Sequence, residues 1–151
     1  MVRRIVGSAL ALVASVGLSI VAASPASAAT NSFATPSGTG CLDGYNNRPG
    51  SEVYTTGCNG GNFQRFNYLG FNRRTQLASA GVAGHCIQSV ASAVKLEPCR
   101  SGTGTQFWLV QGRPGSLVIR SDANPRVCLN RAGANVDVGP CDLGVAAWVL
   151  R

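Results

Sequence analysis

Six cysteines in two interleaved ladders constrain this chain more than any other feature. Cys41, Cys86 and Cys128 stand 45 and 42 residues apart, and Cys58, Cys99 and Cys141 stand 41 and 42 apart. One cysteine unit is laid down three times. Apolar residues keep the same phase: Leu42, Ile87 and Leu129 follow the first cysteine, and Val53, Val94 and Val136 stand five before the second. Phe66, Trp108 and Trp148 come 8, 9 and 7 residues after the second cysteine, each with an apolar partner two further on, Tyr68, Val110 and Leu150. Phe33, Leu77 and Ile119 precede the first cysteine by 8 or 9. Positions that share only hydrophobicity do not recur in register by chance, so the chain is internally threefold.

Within each unit Val, Ile, Tyr, Phe and Trp alternate with polar residues between Gly, Pro, Ser and Asn clusters, the pattern of short strands and tight turns. "FQRFNYLGF" and "FWLV" read as strands, and "NNRPGS", "NGGN" and "RPGS" as turns. No segment after the leader carries a helical stripe, which makes the class all-β. A propeller also repeats at this period but needs at least about four blades. Three units that cannot each bury an apolar face must share one core, which predicts a β-trefoil with repeats at about 31–72, 73–114 and 115–151. Six cysteines allow 15 pairings. The repeat favours the local set, Cys41 with Cys58, Cys86 with Cys99 and Cys128 with Cys141, each closing a loop worth about 3 kcal/mol in the chain-entropy picture.

The first 28 residues read as a secretory signal peptide: Arg3 and Arg4, an apolar run from Ile5 to Ala23, then Ala26-Ser27-Ala28. The expectation is a secreted, extracellular chain with one domain over 29–151 and no membrane span once the leader is removed. An even cysteine count agrees with an oxidising compartment. Zinc is not expected, because there is no C-x-x-C pair and His85 is the single histidine; no other metal or cofactor is implied. Without Arg3 and Arg4 the balance is 11 basic against 6 acidic residues. The arginines are scattered singles apart from Arg73-Arg74, which fits a solvated basic surface and not a nucleic-acid interface.

With the units aligned, the chain resembles the ricin-B family of β-trefoil lectins. The matching stretches are "CLD" at Cys41 to Asp43, "GCNGGNFQRF" at Gly57 to Phe66, "GHCIQ" at Gly84 to Gln88, "TQFW" at Thr105 to Trp108 and "VCLN" at Val127 to Asn130. The family signature is a Q-x-W in each repeat preceded by C-x-D. Here Gln106-Phe107-Trp108 is complete, Gln64-Arg65-Phe66 is close, and Ala146-Ala147-Trp148 lacks the Gln. In strand alternation Gln106 faces the same way as Trp108, so the motif reads as scaffold, with a buried amide holding turn backbone.

The resemblance implies sugar binding by outward groups of the first repeat. With Val53 and Leu42 directed to the core, Tyr54 and Asp43 fall on the other side and meet near one outer pocket. A carboxylate accepts hydrogen bonds from two neighbouring hydroxyls, and an aromatic ring covers the apolar face of a pyranose. Asn62, Asn59 and Gln64 are the amides nearby, Gln64 with a structural duty besides. The C-x-D step holds Gln88 and Asn130 in the other repeats, and the Tyr54 step holds Lys95 and Asp137, neither of them a stacking platform. The expectation is a lectin-like module with one working site of four residues, Asp43, Tyr54, Asn62 and Gln64, for galactose- or xylose-type glycans.

Catalysis is not expected. The paired cysteines offer no thiol, His85 sits at a strand end, and the six carboxylates show no convergence. Two rivals stand beside the lectin: a protein-binding or inhibitory trefoil of the Kunitz kind, using the loop Asn46 to Ser51, and electrostatic attachment to an anionic cell-wall polymer, which salt would abolish.

Overall fold

A computed structural model describes residues 28–44 and 51–151. The leader reading falls on residues outside the described part except for Ala28, and so does the loop 46–50 of the inhibitory reading. The first unit contributes β1 (Ala29–Asn31), β2 (Phe33–Ala34), β3 (Gly40–Asp43), β4 (Ser51–Glu52), β5 (Tyr54–Gly57) and β6 (Phe66–Tyr68). The second holds β7 (Arg74–Gln76), β8 (Ala78–Ser79), β9 (His85–Val90), β10 (Ala93–Pro98) and β11 (Phe107–Arg113). The third holds β12 (Ser116–Ser121), β13 (Val127–Ala132), β14 (Asn135–Pro140), the helical turn α1 (Leu143–Ala146) and β15 (Val149–Leu150).

Two layers result. In the first, strands close a ring: β1 pairs β6, β6 pairs β8, β7 pairs β11, β11 pairs β12, and β15 pairs β2. The remaining gap is closed by Leu117 and Trp148, which exchange backbone hydrogen bonds of 2.9 and 2.8 Å. A closed ring leaves no strand edge to template association. In the second layer the hairpins β3/β5, β9/β10 and β13/β14 lean on one another through Val53 N–H to Val94 C=O (2.9 Å), Val138 N–H to Ser92 C=O (2.9 Å) and Thr55 N–H to Ala134 C=O (2.7 Å). The architecture is the all-β trefoil expected.

The in-phase apolar residues fill the space between the layers. Phe33, Leu77, Ile119, Leu42, Ile87, Leu129, Phe66, Trp108 and Trp148 are all fully buried, while Leu150 is half-buried. Each indole N–H finds a carbonyl: Trp108 Nε1 donates to Ile87 O and Trp148 Nε1 to Leu129 O, both at 3.0 Å. A buried Trp needs such a partner. Phe66, at the same step, has no donor to place. Disulfides join Cys41 to Cys58, Cys86 to Cys99 and Cys128 to Cys141, over separations of 17, 13 and 13 residues.

Two local departures from the expected strands matter for the site. The Gln of the first two units lies not in a strand but at the end of a 3-10 turn, Asn62–Gln64 and Gly104–Gln106, with the strand beginning two residues later in one and directly after it in the other. In the third unit α1 takes this place, capped by Asp142, whose carboxylate accepts from Gly144 N–H at 2.8 Å. Among the described residues no helix is long and apolar enough to cross a membrane.

Candidate carbohydrate site

Antiparallel pairing of β3 with β5 sets Asp43 directly opposite Tyr54. The 3-10 turn is pulled against the end of β3 by Gly44 N–H to Phe63 C=O, 3.0 Å. Gly81 then packs on the turn so closely that a Cβ there would lie 2.5 Å from Phe63 Cδ1 and 2.8 Å from Phe63 N. These contacts deliver Gln64, 0% exposed, beneath Asp43.

The Gln64 amide is fully engaged. Its Nε2 donates to Asp43 Oδ2 and to Gly57 O, both at 2.9 Å, and its Oε1 accepts from Asn59 N–H at 2.9 Å. Gln64 is therefore a positioning residue. Asp43 is only 3% exposed, so its carboxylate lies low in the surface, and the Gln64 amide binds it from the core side. Tyr54 is half-buried and Asn62 exposed.

The second unit repeats the device with different end groups. Gln88 lies opposite Lys95. Gln106 Nε2 donates to Gln88 Oε1 (2.9 Å) and Pro98 O (2.8 Å), and its Oε1 accepts from Arg100 N–H (2.7 Å) and Gln76 Nε2 (2.9 Å). In both units the motif glutamine thus orients the side chain two residues after the first cysteine. The third unit, with Ala146 at this step, is rebuilt. Asn130, opposite Asp137, donates its own amide to Pro140 O at 3.1 Å, and Arg131 binds the carbonyls of Gly144 (2.8 Å) and Val145 (3.2 Å). At the step held by Asp43 and Gln88 in the other units, Asn130 here holds the turn.

A pocket of about 270 Å³ lies elsewhere, between the first two units, lined by Asn67, Tyr68, Leu69, Arg74, Gln76 and Phe107 among others. None of the four expected site residues lines it. The Arg74 guanidinium lies 3.5 Å from the Phe107 ring centroid and 2.7 Å from Asp122 Oδ2. Repetition could not reveal it, since Thr30 and Ser116 stand at the Arg74 step of the other units. Tyr68 donates to Asn31 Oδ1 (3.1 Å), and burial pushes its phenol above the ordinary tyrosine range. No group of three or more His, Cys, Asp or Glu arranged to hold a metal occurs among the described residues.

Fold and frame together define a lectin-type β-trefoil. A family model described as the ricin-type beta-trefoil lectin domain matches residues 32–148, and the chain belongs to that family. Solved structures agree in fold. The Vibrio vulnificus hemolysin/cytolysin β-trefoil lectin with N-acetyl-D-lactosamine bound superposes with a TM-score of 0.63 at 24% identity, over 82% of this chain and 93% of that one. The C-half of an earthworm R-type lectin in complex with GalNAc gives 0.60 at 13%, over 81% and 97%. A mosquitocidal holotoxin gives 0.72 at 11%, over 82% of this chain, which spans only 17% of the toxin's length. No curated protein matches the chain.

Proposed function

We propose that the protein is a secreted, non-catalytic carbohydrate-binding module with one working site, in the first repeat. A single observation carries this reading: Gln64 Nε2 holds Asp43 Oδ2 at 2.9 Å, across the strand pair from Tyr54. A carboxylate has room for about four hydrogen bonds, so being held by Gln64 is compatible with gripping sugar hydroxyls. Tyr54 supplies the ring for the apolar sugar face and Asn62 an exposed amide. Lys95 and Asp137 offer no ring, and α1 with Arg131 occupies the third turn. The family likeness supports galactose- or xylose-type glycans, and the lactosamine and GalNAc of two neighbours support the galactose type. Three disulfides and the leader sequence support secretion. One site implies weak binding unless copies act together.

A glycan array on the disulfide-intact protein tests the proposal. The expected result is a galactose- or xylose-type signal that disappears in Asp43→Asn and in Tyr54→Ala but survives Lys95→Ala and Asp137→Ala. A silent wild type, or an Asp43→Asn variant that binds as well, overturns it. Asp43→Asn keeps an oxygen for Gln64, so its fold should persist.

A further inference from the structure

Asn59-Gly60 is the single Asn-Gly step in the sequence, directly after Cys58. Both residues are exposed. Gly60 takes φ +70, and nothing lies within 4 Å of where a Cβ would be, so no neighbour crowds the glycine on that side. Among the described residues the Gly60 N–H donates to no acceptor. Asn59 Oδ1 accepts from Gly61 N–H at 2.8 Å, an Asx turn whose ring encloses Gly60 and folds the carboxamide back along its backbone. The same N–H points at the oxygen that becomes anionic if the carboxamide carbon is attacked. The other units lack the step: Arg100-Ser101 and Asp142-Leu143 follow their second cysteines.

We propose that Asn59-Gly60 is a site of spontaneous covalent self-modification in the folded protein. Hydroxide removes the Gly60 amide proton, the nitrogen attacks Asn59 Cγ, the Cγ–Nδ2 bond breaks, and Nδ2 leaves as ammonia with a proton from water. The five-membered imide takes up water at either carbonyl. One opening gives aspartate; the other gives isoaspartate, in which the main chain runs through Cβ and Cγ. Water enters, ammonia leaves, and nothing is oxidised or reduced.

The position links this chemistry to the sugar site. Asn59 N–H holds Gln64 Oε1 at 2.9 Å, and Gln64 holds Asp43. Isoaspartate lengthens the main chain between Cys58 and the 3-10 turn by one atom, and either product adds a negative charge there. The modified form therefore loosens the amide that orients Asp43. This second consequence rests on the proposed sugar site; the modification itself does not.

The test is to hold the folded, disulfide-intact protein at mildly alkaline pH, digest it, and follow each asparagine by mass and by enzymatic isoaspartate labelling. The expected result is the mass gain of OH replacing NH2, with isoaspartate label, at Asn59 ahead of Asn67 and Asn72, faster as hydroxide rises and absent from Asn59→Gln. An Asn59 that stays intact while the others convert, or that converts only after reduction and unfolding, overturns the proposal. Ion exchange then separates the acidic form. Loss of glycan binding in that fraction alone supports the link to Asp43, and equal binding in both fractions refutes it. If neither fraction binds any glycan, the sugar reading fails while the mass result stands.

Discussion

Replacing Gln64 by Leu keeps the volume of a fully buried side chain and deletes its amide. Three partners lose a bond: Asn59 N–H, Gly57 C=O and Asp43 Oδ2. Asn59 and Gly57 are exposed, so water replaces the amide there at little cost. Asp43 is 3% exposed and loses a charge-assisted hydrogen bond, a loss of about 1.5–3 kcal/mol. A net cost of about 2 kcal/mol corresponds to about 8 °C in Tm for a domain of about 120 residues at roughly 2.1 cal/mol/K per residue. Gln106→Leu breaks the matching bonds and a further one from Gln76, but its side-chain partners Gln88 and Gln76 are both neutral and half-buried, so the expected cost is nearer about 1 kcal/mol. Urea unfolding with disulfides intact and an unchanged m-value measures both. In an Asp43→Ala background Gln64→Leu should cost about 1.5 kcal/mol less than in wild type. A Gln64→Leu protein within about 0.5 kcal/mol of wild type, or a cycle with no coupling, would refute the argument that this amide holds the carboxylate.

Trp148→Phe keeps a ring at the hub but strands Leu129 C=O, and should cost about 1–3 kcal/mol by thermal unfolding; a neutral change would show the indole bond to be dispensable. Tyr68→Phe bears on alkaline stability. Because the folded phenol titrates above the unfolded one, its contribution is complete below the unfolded pKa of about 10 and is lost as pH rises through the folded value. The variant should be somewhat weaker near neutrality, through the lost bond to Asn31, yet lose less stability than wild type above about pH 10, as denaturation midpoints across pH would record. Gly81→Ala should push Phe63 and the 3-10 turn outward, lowering glycan affinity more than the exposed-loop change Gly102→Ala, where nothing lies within 4 Å.

The frame was legible because two different constraints, sulfur bridges and core packing, fix the same residues in every unit. Val53, Val94 and Val136 illustrate it: all three are buried where hairpin meets hairpin. The pairings Asp43 with Tyr54, Gln88 with Lys95 and Asn130 with Asp137 follow from the same phase. Exposure was harder to read. Strand alternation sends Asp43 away from Leu42, yet Asp43 is buried on that far face, where a turn 21 residues on brings it the Gln64 amide. The α1 turn escaped because four residues are too few for a periodic stripe, and only the cap at Asp142 marks it. The Arg74–Phe107–Asp122 cluster joins residues from different units that have no counterparts in the repeat, so no internal comparison exposes it.

The ring is sealed where Ser32 and Arg151 exchange backbone hydrogen bonds of 2.9 and 3.0 Å, which brings the first and last strands side by side. The covalent gap in the trefoil is thus an ordinary seam between neighbouring staves. Every sulfur bridge lies inside one unit, so a chain rearranged to begin near Arg73, with Arg151 tethered to Ala29, would carry all three bridges into the same ring. Which unit leaves the ribosome first is then a matter of gene order, and the geometry of the folded molecule does not dictate it.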